Sequence, residues 1–444
     1  MMTIAACLWL GLFPLLQGGT YARITIDKWY IMCVLGVATL ALFVVDALTR
    51  RAPAPEGGAP AGAAPRPRFS RWPLVFGAVL LLFSLLSCLL GPYGWQNWWL
   101  GASMRQEGLL TQFCYLGLFF LFAFSRVHLK PVLLSAAAAV TVFLVIVLLQ
   151  RGNGNPLGLY PHGRSFLLNP EFQGTIGNVD MGTGWLCMLA GFFAFGGAGI
   201  LRSVIRTERS GRRAPGRTFS LVTVVACAIG LAVSVFLVVT MDVQFGVISL
   251  GVLLAVSLFR FVPRRWRLPL LILLLVLAFA VVWFWPGTGG GLWELHEILR
   301  GRARLSFGSN RIAVWYYSMP LAKQNLLLGG GSDTFVLRFN DHLQRNALRI
   351  PTEQDGLILP DYFDTPHNDY LAQWLNHGLP AMLAFILLLG CAVWKKRDGI
   401  LPLLTPCSAA VLCYAVQAFF SFSVCIVAPV FWVLLGACRQ ENPE

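Results

Sequence analysis

Residues 364–394 read DTPHNDYLAQWLNHGLPAMLAFILLLGCAVW. The first half holds Asp364, His367, Asn368, Asp369 and His377; the second half carries no charge at all. A chain that places ionisable groups there is about to enter lipid, where each of them is costly. Stretches like the second half recur throughout the 444 residues, of which 57% are hydrophobic and only 12% charged. Soluble domains carry roughly a quarter charged residues. The composition therefore excludes an ordinary soluble domain and predicts an all-α polytopic membrane protein.

Hydropathy places about twelve spans, taking roughly 20 apolar residues per crossing. They fall near residues 2–17, 29–48, 73–90, 108–125, 131–149, 181–201, 219–240, 245–259, 268–286, 370–393, 400–418 and 421–437. The first lacks a basic leader and a small-residue cleavage site, so it reads as a span and not a cleaved signal. The resulting division is 1–286 for spans one to nine, 287–369 for one large external loop carrying part of the active site, and 370–444 for the last three spans and tail. Most of the 34 basic residues lie in the segments 50–71, 125–130, 202–217, 260–267 and 395–397. Basic short loops stay in the cytoplasm, which puts both termini inside. That topology accounts for the net charge of +14, so no nucleic-acid partner is needed. The Pro/Ala/Gly-rich stretch near 51–66 reads as a linker. The eleven cysteines fall in or beside spans and read as small packing residues. No metal-ligand spacing appears.

On this topology the polar chemistry gathers outside. Five of the six histidines, all but His128, are external or nearly so. Thr365-Pro366 before His367 is a helix-start signal, which would put His367 in the first turn of the tenth span. The positive end of the helix dipole would keep its imidazole neutral, and the exposed N–H groups there suit an anion such as a diphosphate. His367, Tyr370, Leu371, Trp374 and Gly378 would share one face and line a cavity. Equally, Tyr370 and Trp374 suit the headgroup layer, where aromatic rings accumulate.

The chain resembles the O-antigen ligase and O-antigen polymerase superfamily of bacterial envelope proteins. The resemblance rests on His367-Asn368-x-Tyr370-Leu371 with Gly378 beyond it, on Arg311-x-x-x-Trp315, on Gly329-x-Gly331-x-Asp333-Thr334-Phe335, and on Gly174-Thr175-x-Gly177-Asn178. These motifs span roughly residues 95–378 in the family's order. Two positions depart from the family pattern: Gln244 stands where ligases place an arginine, and Asn376 where a glutamate is frequent.

The resemblance implies a glycosyltransferase of GT-C-like architecture at the outer face of the cytoplasmic membrane. It would transfer or polymerise a glycan from an undecaprenyl-diphosphate donor onto a hydroxyl of another glycan, lipid or protein. The lipid diphosphate is already a good leaving group, so neither metal nor nucleotide cofactor is expected. His367 matches the family's candidate general base, and Arg311 the arginine that holds the diphosphate. Arg164 and Arg338 are candidates to replace the charge missing at Gln244, or else headgroup anchors; Arg105 reads more as an anchor. Asp333 either orients a base or a sugar, or merely shapes a turn. Gly329 and Gly331 either let the backbone approach a ligand or form a tight loop. Asn178 contacts the donor or simply caps a helix, and Asn368 and Tyr370 belong to the expected substrate surface. The alternatives in other classes are a lipid-linked oligosaccharide transporter, which would show ionisable groups at mid-bilayer, and a non-catalytic envelope-assembly scaffold.

Overall fold

The computed structural model describes residues 1–49, 70–211, 216–259, 261–348, 350, 363–394, 397–398 and 401–441. The expected linker near 51–66 lies outside them. A helix lies within each of the twelve apolar stretches, although that in 2–17 stops at Leu12, that in 400–418 starts at Pro406 and that in 421–437 starts at Ala428. Among the described residues, six helices are long and apolar enough to cross a membrane. These are Tyr21–Thr49 (α2, regular from Ile24), Trp72–Leu89 (α3), Leu129–Arg151 (α5), Val179–Arg209 (α6), Arg217–Thr240 (α7) and Arg264–Trp283 (α9). Six shorter apolar helices accompany them: Met2–Leu12 (α1), Leu109–Ala123 (α4), Gln244–Phe259 (α8), Leu379–Val393 (α14), Pro406–Gln417 (α15) and Ala428–Cys438 (α16).

Helix α6 is the centre of the bundle, with 61% of its most apolar window buried. It packs along α7 and α15. A side chain at Gly191 would sit 2.9 Å from the Ala409 carbonyl. Small residues at such crossings let backbones close in where no hydrophobic effect drives helices together. On the other side α4 packs on α16, and α3 on α14. By contrast, α9 has only 6% of its window buried, and it is apolar nearly all round. Hydroxyls inside the bundle bond back to their own helices, as Ser84 Oγ does to Leu80 O and Ser234 Oγ to Gly230 O. Lys28 is buried because its ammonium donates to the Phe13 and Pro14 carbonyls at the end of α1 (2.8 and 2.9 Å). Orphan carbonyls at a helix C-terminus attract a cation. The cysteines form no disulfide among the described residues.

Between α9 and α14 the described residues form a small helical layer. Its helices are Gly290–Leu299 (α10), Arg311–Gln324 (α11), Phe335–Arg345 (α12) and Asp369–His377 (α13). Ala313, Val314, Phe335, Phe339, Leu371 and Leu375 form its own core. The expected tenth span at 370–393 is therefore two helices. Gly378, at φ 90°, breaks the run, and a side chain there would lie 2.0 Å from Leu327 O. No L-residue fits that position comfortably. α13 thus belongs to this helical layer, and the apolar helix α14 begins at Leu379.

Candidate active site

His367 does not lie in the first turn of a helix. Asn368 is the N-cap of α13, its Oδ1 accepting from Leu371 N (2.9 Å), and His367 precedes it with φ 50°. Asn is a better cap than Thr, and Pro366 therefore ends an extended entry instead of opening the helix. The expected stripe from His367 to Gly378 is cut at both ends. Of its members, Tyr370 turns inward and donates its hydroxyl to Ala415 O (2.7 Å).

The two aspartates of the opening stretch are both tie points. Asp369 receives the Tyr414 hydroxyl and Ser423 N (2.8 Å), fastening α13 to the segment after α15. Asp364 takes Arg105 in a bidentate pair, Nε to Oδ2 at 2.6 Å and Nη2 to Oδ1 at 3.2 Å. The Arg105 guanidinium also lies 4.1 Å over the Phe422 ring. The His367 ring stands edge-on to the same Phe422, centroids 4.8 Å apart. Arg105 and His367 thus share one aromatic wall.

Arg311 reaches the same place from α11. One turn along that helix, Trp315 Nε1 donates to Pro366 O (2.8 Å). Residues four apart lie on one helical face, so the bond that pins the entry to His367 also turns Arg311 toward it. Arg311 Nη1 donates to Gly308 O (2.9 Å), and its buried Nε has no partner. Asp180, in the first turn of α6, is the acid whose charge acts on it. Two arginines, one histidine and two aspartates therefore converge from four chain segments.

His367 Nδ1 lies 3.2 Å from Thr365 O. A carbonyl can only accept, so the proton is on Nδ1 and the Nε2 lone pair is left available. Burial, then the charges of Arg311 and Arg105, push the ring down to about 4. It is neutral throughout the physiological range. Cavities of about 60 and 20 Å³ adjoin the cluster, one lined by Arg105, Asp364 and Phe422 and the other by Asp180 and Phe422.

Other expected site residues stand elsewhere. Asn178 caps α6, accepting from Asp180 N (2.8 Å) and Met181 N (3.4 Å). That cap fixes the first turn carrying Asp180, so its link to the site is indirect. Asp333, at φ 57°, accepts from Ser103 N (3.0 Å) and Ser103 Oγ (2.7 Å) and so holds the 95–108 loop. Burial raises it to about 6. The glycines beside it serve another backbone, not a ligand: Gly330 N and Gly331 N donate to Leu375 O and Asn376 O (3.1 and 2.9 Å). Gly329, at φ 64°, would carry a side chain 2.5 Å from Asn376 C.

Arg338 completes that closure. Its Nη2 donates to Leu375 O (2.6 Å), and its charge acts on His377. A cation at the last carbonyls of α13 is well placed electrostatically. Arg164 is exposed in an outer turn. Arg311, Arg105 and Asp364 are the charges that act most on His367. Gln244, at the start of α8, lies against α10, its Oε1 2.7 Å from where a Gly291 side chain would begin. Arg105 was discounted because nothing in its own neighbourhood marks it; its partner Asp364 lies far along the chain. Asp180 carried a signal, an acid two residues after a cap, that reads as ordinary helix chemistry.

Residues 229–386 match the family model described as O-Antigen ligase. That match supports the O-antigen ligase and polymerase superfamily. It runs from within α7 to within α14, taking in Gln244, Arg311, Asp333, Arg338, His367 and Tyr370. Arg105 and Asp180 lie outside the matched segment. No curated protein matches the chain.

Proposed function

We propose that the protein transfers a glycan from a polyprenyl-diphosphate donor, undecaprenyl in the expected case, to an acceptor hydroxyl at the external face of the cytoplasmic membrane. The acceptor oxygen attacks the anomeric carbon, and its proton passes to His367 Nε2. The bond from that carbon to the diphosphate breaks, and the lipid diphosphate departs with the electron pair. Negative charge then grows on the diphosphate, which is where Arg311 and Arg105 belong. On this reading Arg311 presents its unpartnered Nε to the donor. Arg105 exchanges one carboxylate contact for a phosphate, and Arg105, not Arg164 or Arg338, takes the place of the charge absent at Gln244.

The observation that carries the reading is the Nδ1–H···O=C bond of a neutral His367 beside two arginines. A transporter would need ionisable groups in mid-bilayer, whereas these gather at one end of α6. Twelve crossings with both termini cytoplasmic, and a GT-C-like arrangement, complete the proposal. His367→Ala should abolish transfer by the purified protein from a lipid-diphosphate glycan, with thermal melting close to the parent. Full activity of that variant would remove the assigned role.

A further inference from the structure

A second cavity, of about 870 Å³, lies far from His367, along the last third of α6. It is a half-open space lined by α5, α6, α7, the end of α8, the segment leading into α15 and the end of α16. Its volume is in the range of sites that take an organic ligand. Leu133, Phe195, Val204 and Leu404 supply apolar wall. Lys130 and Arg202 supply positive charge. Lys130 Nζ donates to Ser220 Oγ (2.7 Å), and among the described residues neither cation is paired with a carboxylate. Glu441 also lines the cavity, with its oxygens 3.1 and 3.3 Å from Cys407 N at the start of α15. Its charge is therefore held by a helix N-terminus.

We propose that this cavity holds an anionic phospholipid, its phosphate on Lys130 and Arg202 and one acyl chain along the apolar wall. Apolar volume beside unpaired cations is complementary to that one class of molecule. It sits at the arginine-rich end of the bundle, where anionic headgroups collect. A sugar or nucleotide would leave the wall uncovered, and a neutral lipid would leave the cations unanswered.

The test is native mass spectrometry of the full-length protein after exchange into phosphatidylglycerol or into phosphatidylcholine of the same acyl chains. The parent should retain phosphatidylglycerol preferentially. Removing the charges with Lys130→Ala and Arg202→Ala should weaken retention about fivefold each and roughly twenty-five-fold together. Gly199→Leu provides a test that leaves charge alone. Gly199 lines the cavity, and nothing lies within 4 Å of a side chain added there. Leucine also suits a helix better than glycine, so this variant should melt no lower than the parent while losing the lipid. Soluble glycerol phosphate should compete only at concentrations far above the lipid's. Equal retention of the two lipids, parent-like retention by the double charge variant or by Gly199→Leu, or displacement by glycerol phosphate at lipid concentrations would each overturn the proposal.

Discussion

The pH dependence of transfer follows directly from the surroundings of His367. An ordinary histidine titrates near 6.5, and at pH 5.5 about a tenth of it would be neutral. With the ring held down at about 4, nearly all of it remains neutral at that pH. Since kcat/KM reports the free enzyme, its acid limb should lie well below 6.5, and at pH 5.5 it should stay within about 10% of the pH 7 value. Two of the causes of the shift are Arg311 and Arg105. A bound diphosphate offsets their charge, so the limb in kcat, which reports the donor complex, should lie higher than the limb in kcat/KM. On the proposed function, the donor thereby turns a weak base into a stronger one at the moment it is used. The assay is initial-rate transfer from a defined lipid-diphosphate glycan between about pH 4.5 and 8, with melting temperature recorded at each pH. That control matters because the lowered His367 contributes stability present above 6.5 and lost as pH falls toward 4. Asp333, raised to about 6, contributes stability that is full below its unfolded value and lost as pH rises through 6. A kcat/KM limb at or above 6.5, or a kcat limb lower than it, would refute the reasoning.

Arg311→Lys should keep part of the activity and Arg311→Ala almost none, because a lysine restores charge but not the guanidinium fork; steady-state rates at saturating donor decide this, and parity of the Ala variant with the parent would contradict it. Trp315→Phe keeps a ring against Phe419 but strands the Pro366 carbonyl. It should cost about 1–3 kcal/mol locally and lower kcat by about tenfold or more, and unchanged kinetics would show that the bond does not position His367. Gly378→Ala, meeting Leu327 O at a positive φ, should destabilise by more than about 1 kcal/mol; a melting temperature equal to the parent's would mean that the α13–α14 break tolerates a side chain.

Helix existence was legible because apolar stretches of membrane length have few alternatives. The break inside 370–393 was harder to read. Gly378 is one of 44 glycines, and its role depends on a carbonyl at Leu327. Likewise, the extended entry to α13 is set by Trp315, reaching across from another helix, while the local Thr-Pro signal suggests an earlier helix start. Arg311 and His367 stand out in the sequence because short motifs mark them. Arg105 and Asp180 were missed because their meaning lies wholly in tertiary neighbours. Arg338 and the Gly329–Gly331 stretch show the converse case: polar, glycine-rich sequence that reads as a ligand cradle and in fact closes the end of a helix.

Helix α6 has a consequence for where the reaction occurs relative to the bilayer. At 1.5 Å per residue, Asp180 and Arg202 are about 33 Å apart along its axis, and the hydrocarbon core is about 30 Å thick. With Arg202, Arg206 and Arg209 at one headgroup layer, the Asp180 end comes to rest in the other. A diphosphate tethered to a membrane-embedded tail has that same height, so α6 acts as a depth gauge. On the proposed function, the donor need not be lifted out of its leaflet to meet Arg311; it has only to drift sideways until it arrives.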